Sequence, residues 1–238
     1  MPSEARWVET LWWLKYVHPG HTVFDIGANV GIYTQIFADK VGKNGHVFAV
    51  EPGPKLAASL RNTFKDVQQV HVVQHAVGRQ NESGDVFHYQ NWSLLPLDKN
   101  DLRYKNKGYI IDTQDRDMKE EFLCEYLTLD SMVDQFHRGR VDCIKIDVDG
   151  AEADVIFGGR AMLKRDQPLL RVELSVTLAE MYQETPQHLC AELKNLGYRF
   201  FADHEPDEYK SIDDLCAHIP VGVFSSLDCI CLPPRLQR

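Results

Sequence analysis

The amino-acid sequence predicts an α/β fold, doubly wound, with a mostly parallel sheet, an N-terminal helix and a long mid-chain insertion. Three observations carry that reading. Short apolar runs alternate with helical patterns from residue 23 to 77. The alternation lapses over residues 78–121 and resumes from residue 122 to 232. A glycine-spaced loop joins the first strand to the first helix. Parallel strands need a crossover, usually a helix, so such an alternation builds a sheet with helices on both faces.

The elements follow in order. Trp7, Leu11 and Leu14 recur at helical spacing, with Val8, Trp12 and Val17 beside them, so residues 4–17 read as an amphipathic helix that ends at Pro19-Gly20. Its aromatic stripe reads as packing rather than as a sugar-stacking surface. Residues 23–26 form a first strand and residues 30–41 a helix closed by Gly42. Residues 46–50 are a second strand, and residues 54–66 a second helix with Pro54 in its first turn. Residues 70–77 are a third strand. Beyond them the chain turns polar, with a short strand over 86–89 and an excursion over 91–120. Loops of that length in compact domains are commonly functional, so 91–120 is read as a substrate loop. Strands then fall at 122–127, 141–146, 169–174, 198–202 and 227–232, with helices at 129–137, from Glu152, and at 186–196 before Gly197. Without a repeat or linker, residues 1–238 read as a single domain.

Composition narrows the partners. Hydrophobic residues make up 44% and charged residues 26%, which excludes collagen-like and disordered chains. The net charge of −9 argues against a nucleic-acid partner, which needs clustered Lys and Arg. The densest basic stretch, Arg103, Lys105 and Lys107, is interleaved with Asp101, Tyr104 and Tyr109 and reads as a solvated loop. The six cysteines show neither zinc-ligand nor disulfide spacing, and Cys229 and Cys231 would share one strand face. No run reaches membrane-spanning length, and Glu4, Arg6 and Glu9 do not suit a secretory leader. Reduced thiols in a cytoplasmic protein are expected, and Asn91-Trp92-Ser93 reads as a chance glycosylation match. Homo-oligomerisation is left open.

The local signal with most chemistry is Asp25-Ile26-Gly27-Ala28-Asn29-Val30-Gly31, between the first strand and the first helix. Glycines at 27 and 31 permit a tight turn, close backbone approach to a ligand and helix packing. The loop does not match the G-x-G-x-x-G of dinucleotide binders, and Asp25 would repel a pyrophosphate. A cationic ligand such as S-adenosylmethionine (SAM), with its ammonium and sulfonium, suits it better, and Asn29 is placed to hydrogen-bond the amino-acid end. Glu51 closes the second strand, where an acid accepts from ribose hydroxyls. Ala76, at the end of the third strand, leaves room for an adenine ring.

A second signal is Ile144-Lys145-Ile146-Asp147-Val148-Asp149-Gly150-Ala151-Glu152. Asp147 ends a buried strand, at the sheet edge where ligands of open α/β folds bind. Asp149 reads as a cap for the next helix, Glu152 as a favourable charge in its first turn, and Lys145 as solvated or ion-paired. Asp-x-Asp-Gly also opens a calcium loop, but no further ligands follow at the required spacing.

The ordered set of Val23-Phe24-Asp25-Ile26-Gly27-Ala28-Asn29-Val30-Gly31, Val50-Glu51-Pro52, Tyr126-Leu127-Thr128-Leu129-Asp130, residues 144–152 and Val172-Glu173-Leu174 resembles the FkbM-type methyltransferases over about residues 22–175. The resemblance implies a class I, Rossmann-like SAM-dependent fold and methyl transfer to a hydroxyl, often of a sugar or polyketide-like natural product. By position it implies Asp25, Gly27, Asn29 and Glu51 as cofactor contacts and Asp147 facing the methyl-transfer centre. The family usually has Glu where this chain has Asp149, which leaves that position's role open.

An alcohol is a poor nucleophile, so a base is expected. Asp147 is the first candidate, with His88 and His75 next because imidazole titrates near neutrality. A divalent ion on Asp147 and Glu173 is the alternative means of lowering the hydroxyl's pKa. The rival classes are an NAD-binding oxidoreductase, a non-catalytic SAM-binding domain and an RNA methyltransferase. A small-molecule or glycan acceptor is the expected partner.

Overall fold

The computed structural model describes residues 11–89, 92–94, 119–222 and 225–237. The main sheet has seven strands: β1 Thr22–Ile26, β2 His46–Val50, β3 Val70–Val73, β8 Cys143–Ile146, β9 Leu169–Leu174, β10 Arg199–Ala202 and β11 Leu227–Leu232. Their order is β10-β11-β9-β8-β1-β2-β3. The pairings from β9 to β3 are parallel, and β11 runs antiparallel to both β9 and β10. The expected doubly wound, mostly parallel sheet is therefore observed.

Alternation along the strands explains the two faces. Phe24, Ile26, Ile144, Ile146, Leu170 and Val172 join one apolar cluster, while Val23, Val47, Cys143, Leu169 and Ile230 join another. Helices α3 Leu129–Phe136, α4 Glu152–Gly158, α5 Arg160–Asp166 and α7 Pro186–Asn195 cover the first face through Met132, Ile156, Leu163 and Leu193. Helix α1 Ile32–Val41 and the N-terminal segment cover the second through Phe37 and Trp13. Helix α2 Pro54–Thr63 contributes Leu60, which packs with Phe64, Ala28 and Ala49 beside the loop after β1. Cys229 and Cys231 both fall in the first cluster, as two residues on one strand face should.

Several expected boundaries move. Residues 12–16 form a 3-10 turn, Trp12–Tyr16, rather than part of an α-helix; residues 4–10 lie outside the described ones. Tertiary anchoring overrides the helical pattern. The Trp13 indole N–H donates to Asp203 at 2.8 Å and that of Trp12 to the Ala202 carbonyl at 2.9 Å, while Trp13 is wholly buried. This is the packing reading of the tryptophans.

The strand expected over 70–77 breaks at Gln74-His75. Its second part, β4 Ala76–Val77, leaves the main sheet to pair with β7 Lys119–Leu127. β7, β5 Glu82–Tyr89 and β6 Trp92–Leu94 complete a second sheet in the order β4-β7-β5-β6. The strand expected over 86–89 thus begins at Glu82, and the proposed substrate loop over 91–120 has strand at both ends. Its residues 95–118 lie outside the described ones. Two short helices had no clear sequence signal: α6 Val176–Met181 and α8 Ile212–Ala217.

Candidate active site

The carboxyl ends of β1, β2, β8 and β9 meet along one edge. Gly27 follows β1 with φ 76°, and a Cβ there would lie 1.8 Å from the Asp147 carbonyl oxygen. The loops after β1 and β8 thus touch backbone to backbone, which only glycine allows. Gly31, with φ 90°, opens α1, and a Cβ on it would strike Phe64 and Leu60 of the neighbouring segment. Its glycine requirement is one of packing.

The loop's N–H groups point inward. Gly27 and Ala28 both donate to the Val50 carbonyl at 3.0 Å, Asn29 donates to Glu51 Oε2 at 3.0 Å, and Gly31 donates to the Ala28 carbonyl. Four N–H groups of the loop are therefore paired within a closed turn. Asn29 holds a left-handed φ of 50° within it. Glu51 is buried and also accepts from the Gly53 N–H at 2.9 Å. Burial raises its pKa, countered by the two N–H bonds and the charge of Lys145.

Asp25 is wholly buried beneath the loop. Its Oδ2 accepts from the Thr34 hydroxyl at 2.6 Å, and its Oδ1 lies 3.6 Å from Lys145 Nζ. In place of the expected surface contact, its charge is answered within the protein by Lys145. Ala76 packs in the second sheet with Cys124 and Tyr126. His88 lies on β5, opposite Ser93 and Glu120, but its side chain is outside the described ones. His75 Nδ1 is 3.8 Å from Glu125 on β7, and its ring faces Phe136, so the structure does not join it to Asp147 by any described contact.

Lys145 is ion-paired, not solvated. It is buried on β8, donates to the Gly27 carbonyl at 2.7 Å, and lies 3.2 Å from Asp147. It ties the loop after β1 to the carboxylate after β8. Across the register stand Asp25, Lys145 and Arg171. Arg171 pairs with Asp203 and Asp228 and lies 4.5 Å over the Tyr33 ring. A row of buried charges therefore runs under the edge, each with an opposite neighbour, as burial requires.

Asp147 sits at the surface end of this row, with 35% of its side chain exposed. Burial pushes its pKa up, but Lys145, a hydrogen bond with Glu173 and the charge of Arg171 outweigh that and hold it below the ordinary value. Glu173, at the end of β9, moves the other way. Burial and then the charge of Asp147 push it up to about 9, although the Ser226 hydroxyl donates to it at 2.6 Å. The two carboxyls are thus pushed apart, Asp147 toward the charged form and Glu173 toward the neutral one. Carboxylate oxygens of Asp147, Asp149 and Glu173 lie within 4.8 Å of one another, and these three are the described residues that can hold a hard divalent cation.

Asp149 does not cap α4, whose N-cap is Ala151. Glu152 serves the turn instead, accepting from the N–H groups of Val148 and Gly150 at 3.0 and 3.2 Å. Burial pushes its pKa up to about 7. Beside the pair is a concavity lined by Gly150, Glu152, Glu173, Ser175, Thr185 and Pro186 among others. Lys145 was legible as a charge inside an apolar strand; Arg171 was not singled out. The partners of both, and the approach of Glu173 to Asp147, were not legible.

Comparison with known proteins defines the class. Residues 25–200 match the family model described as the methyltransferase FkbM domain, and the chain belongs to that family. The curated 2-O-methyltransferase NoeI of Sinorhizobium fredii (strain NBRC 101917 / NGR234) is 27% identical over 154 residues, covering 62% of this chain and 60% of that protein. The chain thus spans 60% of the length of that relative. A crystal structure of methyltransferase FkbM from Methylobacillus flagellatus KT is similar at TM-score 0.50 and 15% identity, covering 89% of this chain and 43% of that one. A putative O-methyltransferase from Klebsiella pneumoniae is similar at TM-score 0.50 and 11% identity, covering 98% and 81%. These two show the shared fold.

The cofactor is SAM. The residues present fit it. The N–H groups of Gly27, Ala28, Asn29 and Gly31 are turned inward, and the carboxylates of Glu51 and Asp147 at this edge suit a cationic ligand with a ribose diol. Among the described residues no helix is long and apolar enough to cross a membrane.

Proposed function

We propose that this chain methylates a hydroxyl of a sugar or polyketide-like natural product, with Asp147 as the base. The observation that carries the reading is the convergence of the Asp147 and Glu173 carboxylates, within 4.8 Å of each other, at the carboxyl ends of β8 and β9. SAM, when bound, supplies an electrophilic methyl on a sulfonium. Glu51 holds the ribose hydroxyls. Gly27, Asn29 and Gly31 shape the turn against which the ligand rests, and Ala76 leaves space for adenine. Asp147 accepts the acceptor's proton as its oxygen moves in line with the methyl. Lys145 fixes Asp147 in place, and a protonated Glu173 spares the acceptor oxygen a second negative charge.

The name of the relative NoeI, a 2-O-methyltransferase, supports oxygen as the acceptor atom. The net charge of −9 supports a small molecule or glycan over nucleic acid. Acceptor choice is assigned to residues 91–120 with the concavity, the chain is read as one domain, and free cysteines fit a cytoplasmic setting. The test is release of S-adenosylhomocysteine when the protein meets SAM and a panel of glycans and polyketide-like alcohols. Turnover is expected with free hydroxyls and absent when the same hydroxyl is blocked as its methyl ether. Turnover on RNA or on amines alone would overturn the assignment.

A further inference from the structure

Five of the chain's ten histidines, His18, His21, His46, His71 and His137, precede β1, start β2, lie on β3 or cap α3. Three of them converge. His46 is the first residue of β2, and His71 pairs with Phe48 across the β2–β3 register, so the two imidazoles stand on one face of the sheet. His46 Nδ1 and His71 Nε2 are 3.1 Å apart, with ring centroids 5.3 Å apart. The His137 ring, at the C-terminus of α3, lies 5.8 Å from that of His46, and all three surround the ring of Phe48. His137 is accommodated by Gly139, where a Cβ would come within 2.5 Å of its Nε2.

We propose that the two imidazoles of His46 and His71 form a binding site for one divalent transition-metal ion at the strand-start edge of the sheet. The spacing fits. Two nitrogens each about 2.0–2.1 Å from one tetrahedral ion stand about 3.3 Å apart. A small rotation of either ring turns the present nitrogen–nitrogen contact into shared ligation. The chemistry fits as well. Imidazoles without carboxylates select zinc, copper or nickel over magnesium or calcium. His137 has its Nε2 against the Arg140 carbonyl at 3.1 Å and is a neighbour of the pair rather than a ligand. Water completes the sphere at the exposed His46.

The site lies at the opposite end of β2 from Glu51, about 16 Å away for a five-residue strand. It is therefore independent of the methyl-transfer reading. An ion there braces the edge strand β3 to β2.

The test is titration of untagged protein with Cu2+ at neutral pH, read by calorimetry and by electron paramagnetic resonance. One bound ion with nitrogen hyperfine structure is expected. His71→Ala and the exposed His46→Gln should each weaken binding at least about tenfold, and His137→Ala less. Melting without metal establishes that each variant is folded, and the exposed position 46 carries the test if His71→Ala is not. Asp147→Asn should leave copper binding unchanged, separating this site from the acidic trio. Wild-type protein that binds no copper through nitrogen, or a folded His46→Gln that binds as wild type does, overturns the proposal.

Discussion

Replacing Lys145 by methionine is expected to cost about 3–5 kcal/mol of stability, the usual effect of removing one partner of a buried ion pair. Lys145 is buried, and Asp25 beneath it is wholly so. Its ammonium lies between Asp25 and Asp147 and donates to the Gly27 carbonyl. Methionine fills similar space and supplies none of these contacts. The loss should depend on pH. In the wild type the pKa of Asp147 is held below its ordinary value of 3.8. The stability this contributes is present above that value and is lost as pH falls through the lower, folded one. Without Lys145 the main cause of the depression is gone. The gap between wild type and variant should therefore be widest at neutral pH and narrow as pH falls below about 4. Urea unfolding at several pH values checks both statements. A gap that is small, or independent of pH, would show that the charge row is not held by Lys145.

Asp147→Asn is expected to lower turnover by about 10²–10⁴-fold, the usual contribution of a general base. Affinity for S-adenosylhomocysteine should hold, because Glu51 and the loop after β1 are untouched. Glu173→Gln is expected to behave differently. Glutamine mimics the protonated Glu173, so most turnover should remain. The wild-type rate should fall as Glu173 ionises near its raised pKa of about 9, since the acceptor oxygen then faces two carboxylates. The pair titrates as a unit, so this limb belongs to both residues. Glu173→Gln should flatten it. Full turnover in Asp147→Asn would remove Asp147 from the chemistry.

Legibility in the sequence followed burial. β1, β2, β8, β9 and β11 are covered on both faces, and such strands read as near-continuous apolar runs whatever their partners. The second sheet reads poorly because its strands are polar and partly exposed. β5 opens on Glu82-Ser83-Gly84-Asp85, and Leu123 of β7 is exposed. The break at Gln74-His75 was invisible because Val77 is apolar in either sheet. The positions of Asp25, Glu51 and Asp147 were legible from strand ends and glycine spacing. What those residues touch was not. Lys145 meets Gly27 across 118 residues, and Trp13 meets Asp203 across 190. No local pattern encodes pairings that only the sheet order creates. The same limit hid the approach of Asp147 to Glu173, which depends on β8 and β9 lying side by side.

The most direct test of the account is calorimetric titration of the purified protein with S-adenosylhomocysteine, and with NAD in parallel. Inward-turned loop N–H groups and an acid-lined edge predict one S-adenosylhomocysteine bound, with an affinity on the order of micromolar, and no heat from NAD. Binding of NAD without S-adenosylhomocysteine would contradict the account at its centre, because it would mean that the edge of β1 and β2 receives a pyrophosphate after all.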